Sequence, residues 1–144
     1  ARTIEIGLNR SGPSTEQLHR LDRLSARELA MRPASGAAWL RRAAVDAALG
    51  REAAADQALQ RSFAVAPLQT SLFVRRTLVA YENWNRVSPA TREQTIYQMR
   101  AEWRRRPARR QFIAMANSLH NPAGRVGMAL QITVLRMESK SPAS

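Results

Sequence analysis

Proline and glycine punctuate this chain at intervals that leave room for little except short helices. Pro33, Pro67 and Pro107, with Gly50, close the segments, and Ser14, Ser35-Gly36, Ser88-Pro89 and Asn121-Pro122 open them. Each mark has a physical reason. Proline lacks the N–H that a helix interior needs but is tolerated in the first turn. Glycine after a helix can take a positive φ at no steric cost. Serine and asparagine oxygens cap the free N–H groups at a helix start, and Gln17, three residues after Ser14, completes a capping-box pattern.

The apolar residues between these marks recur at helical spacing. The stripes are Leu18, Leu21, Leu24 and Leu29; Trp39, Leu40, Ala43, Ala47 and Leu49; Ala55, Leu59, Ser62 and Ala66. Then come Phe73, Thr77, Ala80, Tyr81 and Trp84; Arg92, Ile96, Met99 and Trp103; Phe112, Ala116 and Leu119; and Val126, Leu130, Thr133 and Met137. The fourth segment is expected over about residues 69–85, and Pro107 is expected to end the fifth. No segment alternates with the period of a strand. The expectation is an all-α fold of about seven antiparallel helices, stacked as helix-turn-helix pairs. Residues 14–137 would form the domain, residues 1–13 a flexible leader and residues 138–144 a disordered tail.

The second and third segments together resemble a tetratricopeptide repeat. Trp39, Ala43, Gly50, Ala55, Leu59 and Pro67 stand where that repeat of about 34 residues has its tryptophan, small residue, turn glycine, alanine, bulky residue and closing proline. Pro33 and Pro67 are 34 residues apart, so the first segment resembles the second helix of a preceding repeat. The chain departs from the pattern at Arg42, where leucine is usual, and at Asp46, where tyrosine is usual. After Pro67, Phe73 could take the tryptophan place, but Trp84 stands where the turn glycine belongs.

More loosely, the series "AWLRRAAVDAALG", "ALQRSFAVAP", "SPATREQ" and "EWRRRPARRQ" resembles small helical-repeat proteins associated with bacterial exopolysaccharide or O-antigen assembly. That resemblance implies an accessory protein of cell-envelope polysaccharide synthesis or export, in the periplasm or at the envelope. A cytoplasmic location is the alternative.

Charge and chemistry narrow the function. The net charge is +12, carried almost wholly by arginine, with Lys140 the single lysine. Such a field attracts acidic proteins, acidic polysaccharide or nucleic acid, and says nothing about the fold. Cysteine is absent, which excludes disulfides, thiolate metal sites and cysteine nucleophiles. His19 and His120 show no metal-ligand spacing and read as surface or helix-end residues, and Asp22, Asp46 and Asp56 read as partners of arginines. No nucleophile elbow or phosphate-cradling loop is present, and Gly124-Arg125-Val126-Gly127 is too short for one. No catalytic residue, metal or cofactor is assigned. No apolar run approaches the roughly 18–20 residues of a membrane span.

What remains is a non-enzymatic scaffold for a protein partner, either a peptide or an acidic surface. The repeat resemblance implies that the first helix of each pair lines a concave groove. Its candidate residues are Leu40, Arg41 and Ala44 from the second segment and Ser71, Val74, Arg75, Leu78 and Tyr81 from the fourth. Arginines there could hold a carboxylate bidentately. A second candidate is an anion-binding patch of Arg100, Arg104, Arg105, Arg106, Arg109 and Arg110 around Pro107. Its plainer explanation is a solvated turn whose arginines meet the negative end of a helix dipole. The alternative function is a basic helical protein that binds nucleic acid. Against it, Trp39, Trp84, Trp103 and Tyr81 fall at core-facing spacings, as packing residues and not as stacking platforms for bases, and no helix-turn-helix is recognisable.

Overall fold

A computed structural model describes residues 12–140; residues 1–11 of the expected leader and 141–144 of the expected tail lie outside the described residues. Among the described residues the chain is all-α, with seven α-helices, one 3-10 turn and no strand. The helices are α1 (Thr15–Met31), α2 (Gly36–Ala48), α3 (Glu52–Val65), α4 (Phe73–Glu82), α5 (Pro89–Glu102), α6 (Arg106–Ser118) and α7 (Pro122–Lys140).

Most boundaries follow the punctuation. Ser14 and Gln17 exchange the two hydrogen bonds of a capping box at α1. The Ser35 and Ser88 side chains accept from the N–H groups of Ala38 and Thr91 at α2 and α5. Gly50 ends the α2–α3 turn at φ +75°.

Three boundaries differ. A 3-10 turn over Thr70–Leu72 precedes α4, which ends at Glu82. Pro107 does not end α5; it sits in the first turn of α6. Helix α7 runs on through Glu138 and Ser139, which were expected in the tail. There Arg100 donates to the Glu138 carboxylate at 3.0 and 3.1 Å, and Trp103 Nε1 donates to Ser139 Oγ at 3.2 Å.

The packing corrects two stripes. Helix α5 turns Thr91, Thr95 and Met99 inward, one position before the expected Arg92 and Ile96. Helix α7 buries Gly124, Met128, Ile132 and Leu135. Its expected stripe faces outward instead, with Val126 60% exposed, Leu130 63% and Met137 65%. The glycines choose the face. A Cβ on Gly124 would lie 1.9 Å from the Tyr81 carbonyl oxygen, and one on Gly127 would lie 2.6 Å from Trp84 Nε1. Only the glycine edge of α7 can come this close to α4. Glu82 at the end of α4 fixes the approach, accepting from the N–H groups of His120 and Asn121 at 2.8 and 3.0 Å. Burial opposes ionisation of this carboxyl, but the bonds from Asn121 and His120 outweigh it and hold the group below its ordinary range. A carboxylate at a helix N-terminus also meets the positive end of the dipole.

Two clusters make up the core. Leu40, Ala43, Ala58, Leu59, Phe63, Leu72 and Ala80 join α2, α3 and the start and far side of α4. Phe73, Tyr81, Met99, Trp103, Phe112 and Met128 lead a second cluster that joins α4 to α5, α6 and α7. Helix α4 is the wall between them.

Arg76 on that wall is fully buried and faces no carboxylate. Its Nε donates to Ser62 Oγ at 3.0 Å, and its Nη2 donates to the carbonyls of Ser62 and Ala66 at 2.6 and 2.8 Å. Those carbonyls lie at the C-terminal end of α3, where the Ser62 carbonyl also accepts from the Ala66 N–H at 3.3 Å and a nearby cation is favoured by the helix dipole. Ser62 Oγ in turn donates to the Gly36 carbonyl at 2.7 Å. Gly36 must be bare, because a Cβ there would meet Ala66 Cβ at 2.6 Å.

Helix α1 is attached differently. Its one buried residue is Ser25. Asp22 accepts from Arg42 at 2.7 Å and from both terminal nitrogens of Arg51 at 2.9 and 3.1 Å, while buried Asp46 lies 3.3 Å from Arg42. The Arg51 hydrogen bond leads in holding the Asp22 carboxyl below its usual value. Arg42 and Asp46, the two departures from the repeat pattern, thus form a polar clasp where the pattern has apolar contact.

The Gly124 contact reverses an ordinary rule. Alanine for glycine within a helix usually stabilises by about 1 kcal/mol. Gly124→Ala here is expected to destabilise by about 1–3 kcal/mol, because α7 must move off the Tyr81 carbonyl. Urea unfolding followed by circular dichroism measures it, and a gain in stability would contradict the packing.

Candidate functional site

Between α2 and α4, where the sequence suggested a groove, the surface is hollowed. A concavity of about 290 Å³ is lined by Ala37, Leu40, Arg41, Ala44, Leu72, Arg75, Leu78 and Val79. A second, of about 360 Å³, lies between α1 and α2 and is lined by Leu21, Leu24, Ser25, Glu28, Arg41, Ala44 and Val45. Arg41 and Ala44 belong to both. Ala44 contributes only a methyl group, so the two hollows meet over it, and Arg41 stands at their common edge.

The walls are apolar and the ends are charged. Leu21, Leu24 and Leu78 expose 43%, 49% and 39% of their surface. Arg41 Nε donates to Glu28 Oε1 at 2.7 Å across the α1–α2 hollow. Arg75 is exposed and has no side-chain hydrogen bond or ion pair. An extended or helical segment with a carboxylate would find apolar contact and a free guanidinium here.

Five of the eight expected groove residues line these hollows: Leu40, Arg41, Ala44, Arg75 and Leu78. Three do not. Ser71 is exposed within the 3-10 turn before α4. Val74 packs against the C-terminal core cluster. Tyr81 is fully buried, stacked on Trp84 with ring centroids 4.1 Å apart, and its hydroxyl has no hydrogen-bond partner. The cause is the position of α4, which is packed on both flanks. Only the strip through Leu72, Arg75 and Leu78 opens to the groove, and Val74 and Tyr81 lie on the flank covered by α6 and α7.

The arginine cluster around Pro107 separates into two groups. Arg100 is paired with Glu138, and Arg105 with Glu102 at 2.7 Å. Arg109 donates to the Trp103 carbonyl, and its guanidinium lies 5.4 Å from the Trp103 ring centroid. These three hold the α5–α6 turn and the end of α7. Arg104, Arg106 and Arg110 are exposed and make no side-chain hydrogen bond or ion pair. The dipole explanation fits Arg100, in the last turn of α5. It fails for Arg105 and Arg106, which are the N-cap and first residue of α6 and face the positive end of its dipole. No side chain caps that helix.

The remaining polar groups are engaged in structure. His120 Nδ1 lies 2.9 Å from Glu82 Oε2 at the start of α7. Asp56 on α3 accepts from the Ser88 N–H and the Thr91 hydroxyl at 3.0 and 2.6 Å, capping α5 from outside. Among the described residues no three His, Asp or Glu side chains are gathered as metal ligands. No described helix is long and apolar enough to cross a membrane. Of the tryptophans, Trp103 is buried, and Trp39 is half-buried with its Nε1 donating to the Pro33 carbonyl at 2.8 Å.

Compared with known proteins, the chain matches no family model, and no curated protein or solved structure shows significant similarity to it.

The two arginine groups should respond oppositely to substitution. Arg106→Glu places a carboxylate at an uncapped helix N-terminus and is expected to raise the melting temperature. Arg109→Gln removes a bond to a backbone carbonyl and a ring contact, and is expected to lower it. Thermal denaturation of the two variants checks the division, which fails if both shift the same way.

Proposed function

We propose that this protein is a non-enzymatic interaction scaffold that holds a peptide segment of a protein partner in the trough across α1, α2 and α4. The observation that carries the proposal is the pair of adjoining apolar hollows, joined over Ala44, with Arg41 at the edge and the unpaired Arg75 beyond it. Solvent-facing leucines in a concavity are what a binding groove offers and what a surface without a partner usually avoids. Stacked helix pairs of tetratricopeptide kind supply such a groove from the first helix of each pair, and α2 and α4 occupy those places in this reading. The role in envelope polysaccharide assembly belongs to the same proposal and rests on the sequence resemblance alone.

Two substitutions separate the apolar and charged contributions. Ala44→Trp fills the junction of the hollows, and Arg75→Glu reverses the free charge. Both positions are exposed, so the fold should be retained. Partners captured by the wild-type chain from its native extract are expected to be lost or reduced about tenfold with either variant, the loss that removing about 1.4 kcal/mol of contact produces. An unchanged set of partners at unchanged yield would remove the groove from consideration.

Nucleic-acid binding is a second reading, favoured by the unpaired Arg104, Arg106 and Arg110. It would depend on phosphate contacts, since Trp103 beside them is buried and offers no face for a base. Duplex and single-stranded probes at about 50 mM salt decide it, because phosphate contacts are strongest at low ionic strength. Binding that weakens steeply with salt supports the reading, and its absence ends it.

A further inference from the structure

Helix α7 has two apolar faces, and among the described residues the packing covers one. The inner face, Gly124, Met128, Ile132 and Leu135, closes the second core cluster. The outer face carries Val126, Leu130 and Val134, respectively 60%, 63% and 41% exposed, with exposed Ala129 and Thr133 between them. A helix apolar on both sides is ordinarily covered on both sides. From Val126 to Val134 the face extends about 12 Å, or a little over two helical turns.

Its surroundings say what would cover it. From Trp103 to Met137 the chain contains seven arginines and no aspartate or glutamate. Arg105 and Arg109 are engaged in the α5–α6 turn, whereas Arg104, Arg106, Arg110, Arg125 and Arg136 make no side-chain hydrogen bond or ion pair. Glu138, the first carboxylate beyond this stretch, is held by Arg100. Arg125 and Arg136 lie at the two ends of the apolar face. A second copy laid on it would bring two acid-free, cationic hairpins together, which like-charge repulsion opposes. Interfacial membrane helices present bulky aromatics to lipid. This face has none, and its Ala129 and Thr133 suit the close approach of another helix.

We infer that the outer face of α7 docks an amphipathic α-helix of a protein partner, one whose apolar stripe is flanked by acidic side chains. The leucine-type stripe of that helix would pack along Val126, Leu130 and Val134, and its carboxylates would reach Arg125 and Arg136. This surface is separate from the α2–α4 groove and does not depend on it.

The test uses the full chain and two labelled helical peptides of about 18 residues, long enough to span the face. They share one leucine stripe; one is flanked by glutamate and the other by lysine. Fluorescence anisotropy is expected to show the glutamate peptide binding at least about tenfold more tightly. Leu130→Glu should abolish that binding, and Arg125→Glu with Arg136→Glu should reverse the preference. Because Leu130 is largely exposed, its variant should melt with the wild type; Val126→Glu repeats the experiment if it does not. Equal binding of the two peptides, or binding that survives Leu130→Glu and Val126→Glu, overturns the proposal. So does a wild-type dimer in sedimentation that Leu130→Glu dissolves, or adsorption to phosphatidylglycerol vesicles without a peptide preference.

Discussion

Burying a guanidinium without a counter-ion is costly unless its hydrogen-bonding capacity is met, and Arg76 shows how this fold meets most of it. The donors go to carbonyls at the C-terminal end of α3 and to a serine hydroxyl, while the Phe63 ring lies 5.1 Å from the charge. The negative end of the helix dipole takes the part of a carboxylate. Burial still draws the Arg76 pKa below its ordinary value, and Nη1 remains unpartnered. Through Ser62 the same side chain reaches the first residue of α2. The start of α2, the end of α3 and the middle of α4 are therefore set by one residue, and the α2–α4 groove inherits its geometry from that setting.

The distribution of charge has a related logic. Nearly every described carboxylate is occupied inside the structure. Asp22 and Asp46 clasp α1 to the α2–α3 hairpin, Asp56 caps α5, Glu82 caps α7, and Glu138 ties the end of α7 to α5. Arginines outnumber these partners by a wide margin, so the surplus lies on the surface. Much of the described excess of arginine is thus exposed as unpaired guanidinium groups, among them Arg104, Arg106, Arg110, Arg125 and Arg136 in a stretch without carboxylates.

Helix number and most boundaries were legible because capping residues act locally. Ser14 with Gln17, Ser35, Ser88 and Gly50 each do what their side chains or backbone dictate within one turn. Facing was less legible. Both sides of α7 carry apolar residues at helical spacing, and the periodicity of Val126 and Leu130 is as good as that of Met128 and Ile132. What decides is Gly124 against the Tyr81 carbonyl, a contact between residues far apart in sequence. Only some of the expected groove residues line the α2–α4 hollow for the same reason. Leu40, Ala44 and Arg75 follow from helix order, but the burial of Tyr81 follows from α7 lying across α4. Arg76 carried no sequence signal, since an arginine in a basic chain reads as solvated.

The sharing of α4 between two core clusters has a consequence for how the molecule comes apart. In a linear array of repeats each unit contacts only its neighbours, and the array can be shortened with a proportionate loss of stability. Here Ala80, with Val79 packed beside it, belongs to one cluster and Phe73 and Tyr81 to the other, all on a single helix of ten residues. Removing either half would leave one side of that helix bare, with buried aromatic or aliphatic side chains opened to water. The chain is therefore one cooperative unit despite its modular outline, and a fragment ending within it would be a target for proteolysis and no smaller version of the fold.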